Sequence, residues 1–249
     1  MKSIIYLLCA CWIACLLSTG CKHSTDYEKS PSVQLIQDSI IRYKPQEAEM
    51  LLAKAKQQAQ DSTEYYYAEA VHSSLLMTRQ QEDSAFYYIN RCEKFCLSLP
   101  KLLPIHYLTL GIAENNKASL LENSNHPLSA KTAYEKAIQY YQRGNMHKRL
   151  PNVYNNLGYV YYTLNDLPMQ AYCYKKALFI CDSLSLPQIY RDNSYFMLAF
   201  CYVQLKNYPQ AHYYLNKVYP QINDMPLYNR YFLLNTFVNF YYYQKKYEP

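Results

Sequence analysis

Hydrophobic positions recur at helical spacing through most of the chain. After residue 30, small and apolar residues follow one another three and four positions apart, as Ala130, Tyr134 and Ala137 do. This spacing places such residues on one face of an α-helix, and polar segments marked by proline separate one stretch from the next. The pattern predicts an all-α domain of consecutive amphipathic helices over residues 31–249.

The first twenty residues form a separate apolar segment. Lys2 precedes an apolar run that ends near Leu17, which is shorter than the roughly 20 residues that a membrane-spanning helix needs. A short apolar run behind a positive charge is typical of a signal peptide. We therefore predict a signal peptide over residues 1–20 and a polar tether over residues 21–30.

One arrangement of three residues occurs five times. A residue that is small in four of the copies is followed four positions later by a large apolar or aromatic residue, and three positions after that by another small residue. The copies are Ala48-Leu52-Ala55, Ala85-Ile89-Cys92, Ala130-Tyr134-Ala137, Gln170-Tyr174-Ala177 and Ala211-Leu215-Val218. They begin 37, 45, 40 and 41 residues apart, so the sequence predicts an internal repeat of helical units.

The fourth copy belongs to a fuller motif. Leu157, Gly158 and Tyr161 precede Tyr174 and Ala177 at a spacing that resembles the tetratricopeptide repeat, a helix hairpin with the pattern W-x2-L-G-x2-Y followed by A-x3-F-x2-A. The matching first-helix positions of the next copy are Tyr195, Leu198, Ala199 and Tyr202. The resemblance implies a right-handed α-solenoid of about five to six hairpins, with a period longer than the usual 34 residues.

Proline placement agrees with this division. Proline costs about 3 kcal/mol inside a helix but is tolerated in turns and first helical turns. The prolines in the predicted turns within hairpins are Pro45, Pro127, Pro168 and Pro209. Those at the start or between hairpins are Pro31, Pro100, Pro104, Pro151, Pro187, Pro220 and Pro226.

The C-terminal stretch matches the start of a sixth hairpin. Residues 237–247 fit a first helix and turn, and the sequence stops at Pro249, where a second helix would begin. Solenoids normally end in a polar cap, whereas Tyr241, Tyr242 and Tyr243 would leave an apolar edge. We favour a fragment of a longer protein; the alternative is an edge that docks a partner or another copy.

Composition narrows the chemistry. The chain has 31 Tyr but 4 Gly, and Gly20 falls in the predicted signal peptide, so too few glycines remain for the phosphate-binding loops of nucleotide sites. The net charge of +6 is spread out and does not predict nucleic-acid binding. With no catalytic or metal-ligand motif in the sequence, we expect a protein that is not an enzyme and that needs no cofactor or metal.

The five cysteines of the predicted solenoid are Cys92, Cys96, Cys173, Cys181 and Cys201. An odd number cannot form a complete set of disulfides. The spacing of the first two would suit a pair of metal ligands on a helix, but no matching His or Cys pair lies nearby in sequence. We therefore predict that the cysteines are small, buried core residues.

The end of the signal peptide carries a second resemblance. Leu17-Ser18-Thr19-Gly20-Cys21 resembles the lipobox of bacterial lipoproteins, whose cysteine is acylated after cleavage, although Ser18 stands where the family usually has Leu. The resemblance implies a lipid anchor at Cys21 and a place in the bacterial cell envelope, facing the periplasm or the cell surface. An ordinary cleaved signal peptide is the alternative.

The tetratricopeptide resemblance also implies a peptide-binding groove lined by the first helices. Asparagine amides can both donate to and accept from an extended backbone, and aromatic faces supply apolar contacts. The predicted groove residues are Asn152, Asn155, Asn156, Tyr159, Tyr162, Asn193, Phe196, Met197, Phe200, Gln204, Asn235, Asn239 and Tyr242. The family's carboxylate clamp of Lys, Arg and Asn is missing, because Val33, Ala70 and Phe196 occupy the corresponding positions.

Two functions remain open at this point. The first is an exported, lipid-anchored scaffold that binds a protein or peptide in the groove. The second is the sensory portion of a regulator with tetratricopeptide repeats, whose transmembrane and output parts would lie beyond Pro249. Glycan-binding outer-membrane lipoproteins built on similar repeats are less favoured, because they carry large insertions that this sequence lacks.

Overall fold

The structure is a computed structural model that describes Tyr27 and residues 30–42, 45–224 and 227–243. Within these residues the chain forms α-helices, short 3-10 helices and turns, and no strand. The α-helices are α1 (Pro31–Arg42), α2 (Pro45–Gln58), α3 (Ser62–Thr78), α4 (Glu82–Leu97), α5 (Pro104–Asn123), α6 (Pro127–Arg143), α7 (Leu150–Thr163), α8 (Leu167–Ser183), α9 (Ile189–Gln204), α10 (Tyr208–Val218) and α11 (Leu227–Tyr243). The predicted all-α class is confirmed.

The helices pair into hairpins that stack in chain order. Each odd-numbered helix from α1 to α9 packs against the even-numbered helix that follows it, and α11 is the first helix of the next unit. Each first helix after α1 also contacts the first helix of the hairpin before it, so the first helices run side by side along the stack. This is the stacking of an α-solenoid, as the repeat predicted.

The five predicted triplets form the centre of this stack. All their residues are buried, including the large central ones, Leu52, Ile89, Tyr134, Tyr174 and Leu215. Buried apolar residues group into two clusters, of which one extends from α1 to α8 and the other from α8 to α11. Helix α8 contributes to both clusters, so the boundary between them lies at the fourth hairpin.

Gly158 lies where the two helices of the fourth hairpin approach each other most closely. A Cβ atom at this position would stand 2.8 Å from Cζ of Tyr174, which is closer than real Cβ atoms come to other heavy atoms. The Tyr174 ring therefore occupies the space that a side chain on α7 would need. The close helix approach that the sequence motif implied at Gly158 is present.

Gln170 is the exception among the triplets. A small residue is usual at its position, yet the whole Gln170 side chain is buried. Its amide lies beside the buried hydroxyl of Tyr174, and the two groups pair only weakly: neither makes a hydrogen bond of good geometry, but the Gln170 contact lowers the pKa of Tyr174 against the larger, raising effect of burial. Weak pairing of buried polar atoms costs stability, so this contact is less favourable than an apolar one of the same shape would be.

The turns within the fourth and fifth hairpins follow one plan. Asn165 has a φ of 58° and Lys206 has a φ of 56°, so the backbone turns through the left-handed region after α7 and after α9. The next residue caps the second helix, since Asp166 accepts from the Met169 amide and Asn207 from the Gln210 amide. Pro168 and Pro209 then lie in the first turn of the second helix, where proline costs little. The predicted placement of these prolines is confirmed.

All five cysteines of the solenoid are buried, as predicted, and none of them forms a disulfide with another described residue. Burial raises the pKa of the Cys96 thiol and that of Cys173 to about 12, and that of Cys201 to about 11. A thiol with so high a pKa carries almost no thiolate at neutral pH. These residues act in packing.

Lys56 and His72 join the first two hairpins. Nζ of Lys56 on α2 lies 3.1 Å from Nδ1 of His72 on α3, and the ammonium also stands 4.7 Å from the centre of the Tyr88 ring on α4. Burial, together with the neighbouring Lys56 charge, lowers the pKa of His72 to about 4. The imidazole is therefore neutral at pH 7 and accepts the hydrogen bond from the ammonium.

Several sequence predictions fall outside the described residues. The signal peptide over residues 1–20, Cys21, most of the tether, Pro226 and the end of the chain after Tyr243 are among them. Among the helices that the structure does describe, none combines the length and the apolar character that a membrane span requires.

Candidate protein-binding surface

The predicted groove residues lie on α7, α9 and α11, which are three successive first helices. We call the exposed side of the first helices the first-helix surface. The first helices contact one another directly. Side chains that face a neighbouring first helix are therefore buried, and side chains that face away from it are exposed to solvent. The structure therefore divides the predicted residues into two groups.

Three aromatic side chains form an exposed cluster on this surface. Tyr159 and Tyr162, one turn apart on α7, are 44% and 39% exposed, and their ring centroids are 5.9 Å apart. Phe200 on α9 is half-buried, and its ring meets that of Tyr162 edge to face at 5.5 Å. We call these three residues the aromatic cluster. It bridges the fourth and fifth hairpins, and its two tyrosine side chains keep much of their surface exposed to solvent.

Polar side chains connect the first helices beside this cluster. Asn116 on α5 donates from Nδ2 to Ser73 Oγ at 2.9 Å and to Ser74 Oγ at 2.7 Å, both on α3. Asn156 on α7 donates to Oδ1 of Asn115 on α5 at 3.4 Å. A further hydrogen bond of this kind joins Asn155 on α7 to Ser194 on α9. Sequence reasoning missed Asn115 and Asn116, although this pair precedes Asn155 and Asn156 by 40 residues, the step between the third and fourth triplets.

Three of the predicted groove residues are buried, and for them the prediction of an open groove position is wrong. Asn155 is 5% exposed and accepts a hydrogen bond from Ser194 on α9, while Phe196 and Met197 are each 8% exposed and pack in the apolar cluster of α8 to α11. The reason is the close approach of α7 and α9, which covers the positions that face the neighbouring helix. Ser194 gave no sequence signal of its own.

The remaining predicted residues keep exposed surface. Asn152, Asn193, Gln204 and Asn235 are exposed, Asn156 and Asn239 are half-buried, and Tyr242 is exposed. With the aromatic cluster, they place neutral amides and aromatic rings along three adjacent helices. Such side chains can make hydrogen bonds to a peptide backbone and apolar contacts to its side chains.

The surface around the aromatic cluster carries almost no charge. Helix α7 contains no Asp, Glu, Lys or Arg. Helix α9 has two charged residues, Arg191 and Asp192, both in its first turn. The Arg191 guanidinium bonds to Asp182 at 2.9 Å and to the Cys181 carbonyl at 3.0 Å, which directs it away from the cluster and toward α8. A ligand that covers the aromatic cluster would therefore meet a neutral surface.

Three ion pairs join neighbouring helices in the N-terminal half. The pairs are Arg91–Glu69 at 2.9 Å, Lys117–Glu93 at 3.0 Å and Lys136–Glu114 at 3.5 Å. Burial raises the pKa of the Glu69 and Glu114 carboxyls. Lys117–Glu93 connects the second hairpin to the third, and the other two pairs each lie within one hairpin. The described residues also contain no group of three or more His, Cys, Asp and Glu side chains arranged to hold a metal ion.

Solved structures resemble the chain in fold. BtubC (BKLC) from P. vanneervenii matches with a TM-score of 0.60 and 16% identity, over 88% of this chain and 81% of that one. A signal transduction ATPase with numerous domains and a tetratricopeptide repeat sensor, from Pyrococcus horikoshii, matches with a TM-score of 0.61 and 16% identity, over 86% of this chain and 30% of that one. PilF from Pseudomonas aeruginosa matches with a TM-score of 0.56 and 14% identity, over 87% of this chain and 91% of that one.

No protein-family model and no curated protein sequence matches the chain. The structural neighbours include tetratricopeptide repeat proteins, and the chain has a fold of that type. At these sequence identities the likeness concerns the fold, which by itself does not determine a function. The argument for function therefore rests on the first-helix surface.

Proposed function

We propose that this protein is a non-catalytic scaffold whose first-helix surface binds an extended, uncharged segment of another protein. The observation that carries the proposal is the aromatic cluster, in which the exposed rings of Tyr159 and Tyr162 meet the half-buried ring of Phe200 across two adjacent hairpins. Aromatic residues on such a surface are frequent anchors of protein interfaces, because they bury a large area at a small cost in conformational entropy.

The surroundings of the cluster define the ligand. Exposed Asn152, Asn193 and Gln204 offer both donors and acceptors, which an extended backbone requires on both of its edges. The absence of charge on α7 means that a charged ligand side chain would lose water there without gaining a partner. We therefore expect the bound segment to present apolar or aromatic side chains to the cluster and few charged ones.

A pair of double variants tests this proposal. The test variant is Tyr159→Ala with Tyr162→Ala on α7. The control is Tyr172→Ala with Tyr213→Ala, which removes two tyrosines of similar exposure, 53% and 52%, from the second helices α8 and α10. Both variants should keep the helical circular dichroism of the parent, since none of these rings is buried.

Selection from a displayed library of random peptides supplies the probe. We expect the parent chain to enrich peptides with few charged residues. The test variant should bind the enriched peptides at least about tenfold more weakly, a loss of about 1.4 kcal/mol, while the control binds them like the parent. A parent that enriches nothing, or a test variant that binds as well as the control, would exclude this surface as the binding site.

We also propose that the scaffold is exported and held on a bacterial membrane by a lipid on Cys21. The proposal rests on the apolar run after Lys2 and on the lipobox-like stretch that ends at Cys21. Bacterial lipoproteins carry more than one acyl chain, and two chains suffice for stable membrane binding.

A sensory role in signal transduction is the second candidate function. The observation that favours it is the likeness to the Pyrococcus horikoshii protein with a tetratricopeptide repeat sensor, of which this chain covers 30%. In that arrangement the same neutral surface would bind the signal and other parts of a longer protein would respond. Gene sequence beyond Pro249 discriminates the two candidates, since a further apolar run of about 20 residues followed by an output domain would favour the sensor.

A further inference from the structure

The connections between hairpins lie together at one end of the helices. His106 in the first turn of α5 joins three helices there, since its Nε2 lies 3.1 Å from Oγ1 of Thr63 at the start of α3 and its ring contacts that of Phe95 in the last turn of α4. Gly144, directly after α6, packs against Tyr107 in the same first turn of α5. We call this end the loop edge, and its connections are residues 59–61, 98–103, 144–149 and 184–188.

The N-terminal tether meets the solenoid at the loop edge. The Tyr27 hydroxyl donates to Oδ2 of Asp61, in the connection between α2 and α3, at 3.0 Å. The Ser30 amide donates to the Tyr27 carbonyl, and α1 begins at the next residue. Tyr27 follows Cys21 by six residues, which can span at most about 20 Å. A lipid on Cys21 would therefore hold the loop edge close to the bilayer.

Two connections of the loop edge are basic. Lys94 and Lys101 lie at the end of α4 and in the connection to α5, and Arg143, Lys148 and Arg149 lie at the end of α6 and in the connection to α7. All of them except Arg149 are exposed. Residues 94–103 and 143–149 contain no Asp or Glu. These connections therefore present positive charge to solvent, which anionic lipid headgroups attract.

The acidic side chains near the loop edge lie beside its other two connections. Asp61 and Glu64 each accept a backbone amide next to α3. Asp182 and Asp192 lie on either side of residues 184–188, where Arg191 pairs with Asp182 at 2.9 Å. At the opposite end, the described charged residues in the turns within hairpins and in the first turn of each second helix are Glu47, Glu82, Asp83, Asp166, Arg79 and Lys206, which give no positive excess.

An exposed leucine lies among the basic residues. Leu97, the last residue of α4, is 64% exposed and stands between Lys94 and Lys101 in the sequence. Apolar side chains flanked by lysine are typical of segments that enter the boundary between headgroups and acyl chains. An acidic protein could also contact basic side chains, but the tether favours the membrane because it brings this end of the solenoid to the bilayer.

We propose that the loop edge lies against the anionic lipid surface of the membrane to which Cys21 is anchored. The inference rests on the proposed lipid at Cys21 and adds an orientation to it. The helices then stand end-on to the bilayer, and the turns within hairpins point away from it. Helix α6 has 17 residues, so its far end lies about 25 Å from its near end. The first-helix surface stays open to a ligand from the side.

A single tryptophan at either end tests the orientation. The chain has one tryptophan, so Trp12→Phe gives a background without any. Leu97→Trp reports on the loop edge, and Leu128→Trp in the first turn of α6 is the matched control, since Leu97 is 64% and Leu128 is 68% exposed. The purified lipidated proteins are reconstituted in vesicles of phosphatidylglycerol and brominated phosphatidylcholine, which quenches tryptophan fluorescence on contact. We expect at least about twofold stronger quenching of Leu97→Trp than of Leu128→Trp.

Charge variants of the Leu97→Trp protein test the basic connections. Lys101→Ala with Lys148→Ala should weaken the quenching at least about twofold. Lys131→Ala with Lys175→Ala removes the same charge from α6 and α8 outside the loop edge, and it should leave the quenching unchanged.

Mass spectrometry of the Cys21 peptide reports acylation separately. An unacylated Cys21 would overturn the lipid anchor and the orientation together. An acylated protein whose Leu97→Trp is quenched no more than Leu128→Trp, as expected if the loop edge binds an acidic protein instead, would overturn the orientation alone. Equal quenching after removal of either lysine pair would also overturn it, because the basic connections would then have no part in the contact.

Discussion

Ser194 on α9 donates a hydrogen bond of 2.7 Å from Oγ to Oδ1 of Asn155 on α7, and both side chains are buried between the two first helices. The bond joins the fourth hairpin to the fifth. It converts a position that the sequence suggests for ligand binding into part of the contact between repeats.

Removal of this bond should destabilise the solenoid. Asn155→Ala leaves the Ser194 hydroxyl buried without its acceptor, so we expect a loss of about 1–3 kcal/mol in the free energy of unfolding, measured by urea denaturation. Asn193→Ala is the control, because Asn193 is the exposed neighbour on α9, and it should change stability by less than about 0.5 kcal/mol. Equal losses in the two variants would contradict the assignment.

Gln170→Met combined with Tyr174→Phe should stabilise the protein. The two changes replace a weakly paired buried amide and hydroxyl with apolar side chains of similar shape, whereas Gln170→Met alone leaves the Tyr174 hydroxyl buried without its neighbour and should cost about 1–3 kcal/mol relative to the double variant. Gln170→Ala, although it introduces the small residue usual at this position, should be less stable than the double variant because it leaves a cavity. Thermal unfolding of the parent and the three variants measures the order, and a double variant less stable than the parent would refute the explanation.

The solenoid cysteines should resist thiol reagents until the chain unfolds. Cys92, Cys96, Cys173, Cys181 and Cys201 are buried, and burial raises the pKa of each thiol. Alkylation at pH 8, followed by mass spectrometry of peptides, should label them slowly in buffer and completely in denaturant. Rapid labelling of any of the five in the native protein would contradict the described packing.

His72 should make stability depend on pH in mildly acidic solution. Its pKa is lowered to about 4 in the folded chain, from an ordinary value near 6.5, by burial and by the Lys56 ammonium, while the Glu49 carboxylate acts in the opposite direction. Between pH 4 and pH 6.5 the unfolded state binds more protons at His72 than the folded state does. The contribution of His72 to the free energy of unfolding is therefore fully present above pH 6.5 and declines as pH falls toward 4.

His72→Gln removes this titration and is the variant that measures it. The difference in unfolding free energy between parent and variant should be constant above pH 7 and should shift in favour of the variant as pH falls from 6.5 to 4. Burial raises the pKa of Glu69, which gives a pH dependence of stability of the opposite sign, but Glu69 is present in both proteins and cancels to first order in the difference. A difference that does not vary with pH would show that His72 is not protected from protonation.

Cys21→Ser should release the protein from bacterial membranes. Without the thiol there is no site for acylation, so the protein would lack the lipid that is proposed to hold it on the bilayer. Fractionation of cells that express the parent, Cys21→Ser and the control Cys15→Ser gives the result. Continued membrane association of the Cys21→Ser protein, with the control behaving like the parent, would count against lipidation.

Local sequence patterns were sufficient to predict the helical repeat, but they did not predict which residues lie on its outer surface. The triplet of Ala130, Tyr134 and Ala137 could be predicted as buried, because its spacing reports contacts within a single hairpin. Asn155 and Phe196 could not be placed correctly, because their burial depends on the distance between successive first helices, which no periodicity within one helix records. The predicted groove position of Tyr159 agrees with its exposure, while its role in binding stays a prediction.

The boundary between the two apolar clusters at the fourth hairpin has a mechanical consequence. Tyr162 and Phe200 meet across that boundary on the outside, as Asn155 and Ser194 do on the inside. A ligand segment that contacts both rings would hold the hairpins on either side of this boundary at a fixed angle to each other. Ligand binding at this position would therefore resist bending of the solenoid at the junction between its fourth and fifth hairpins.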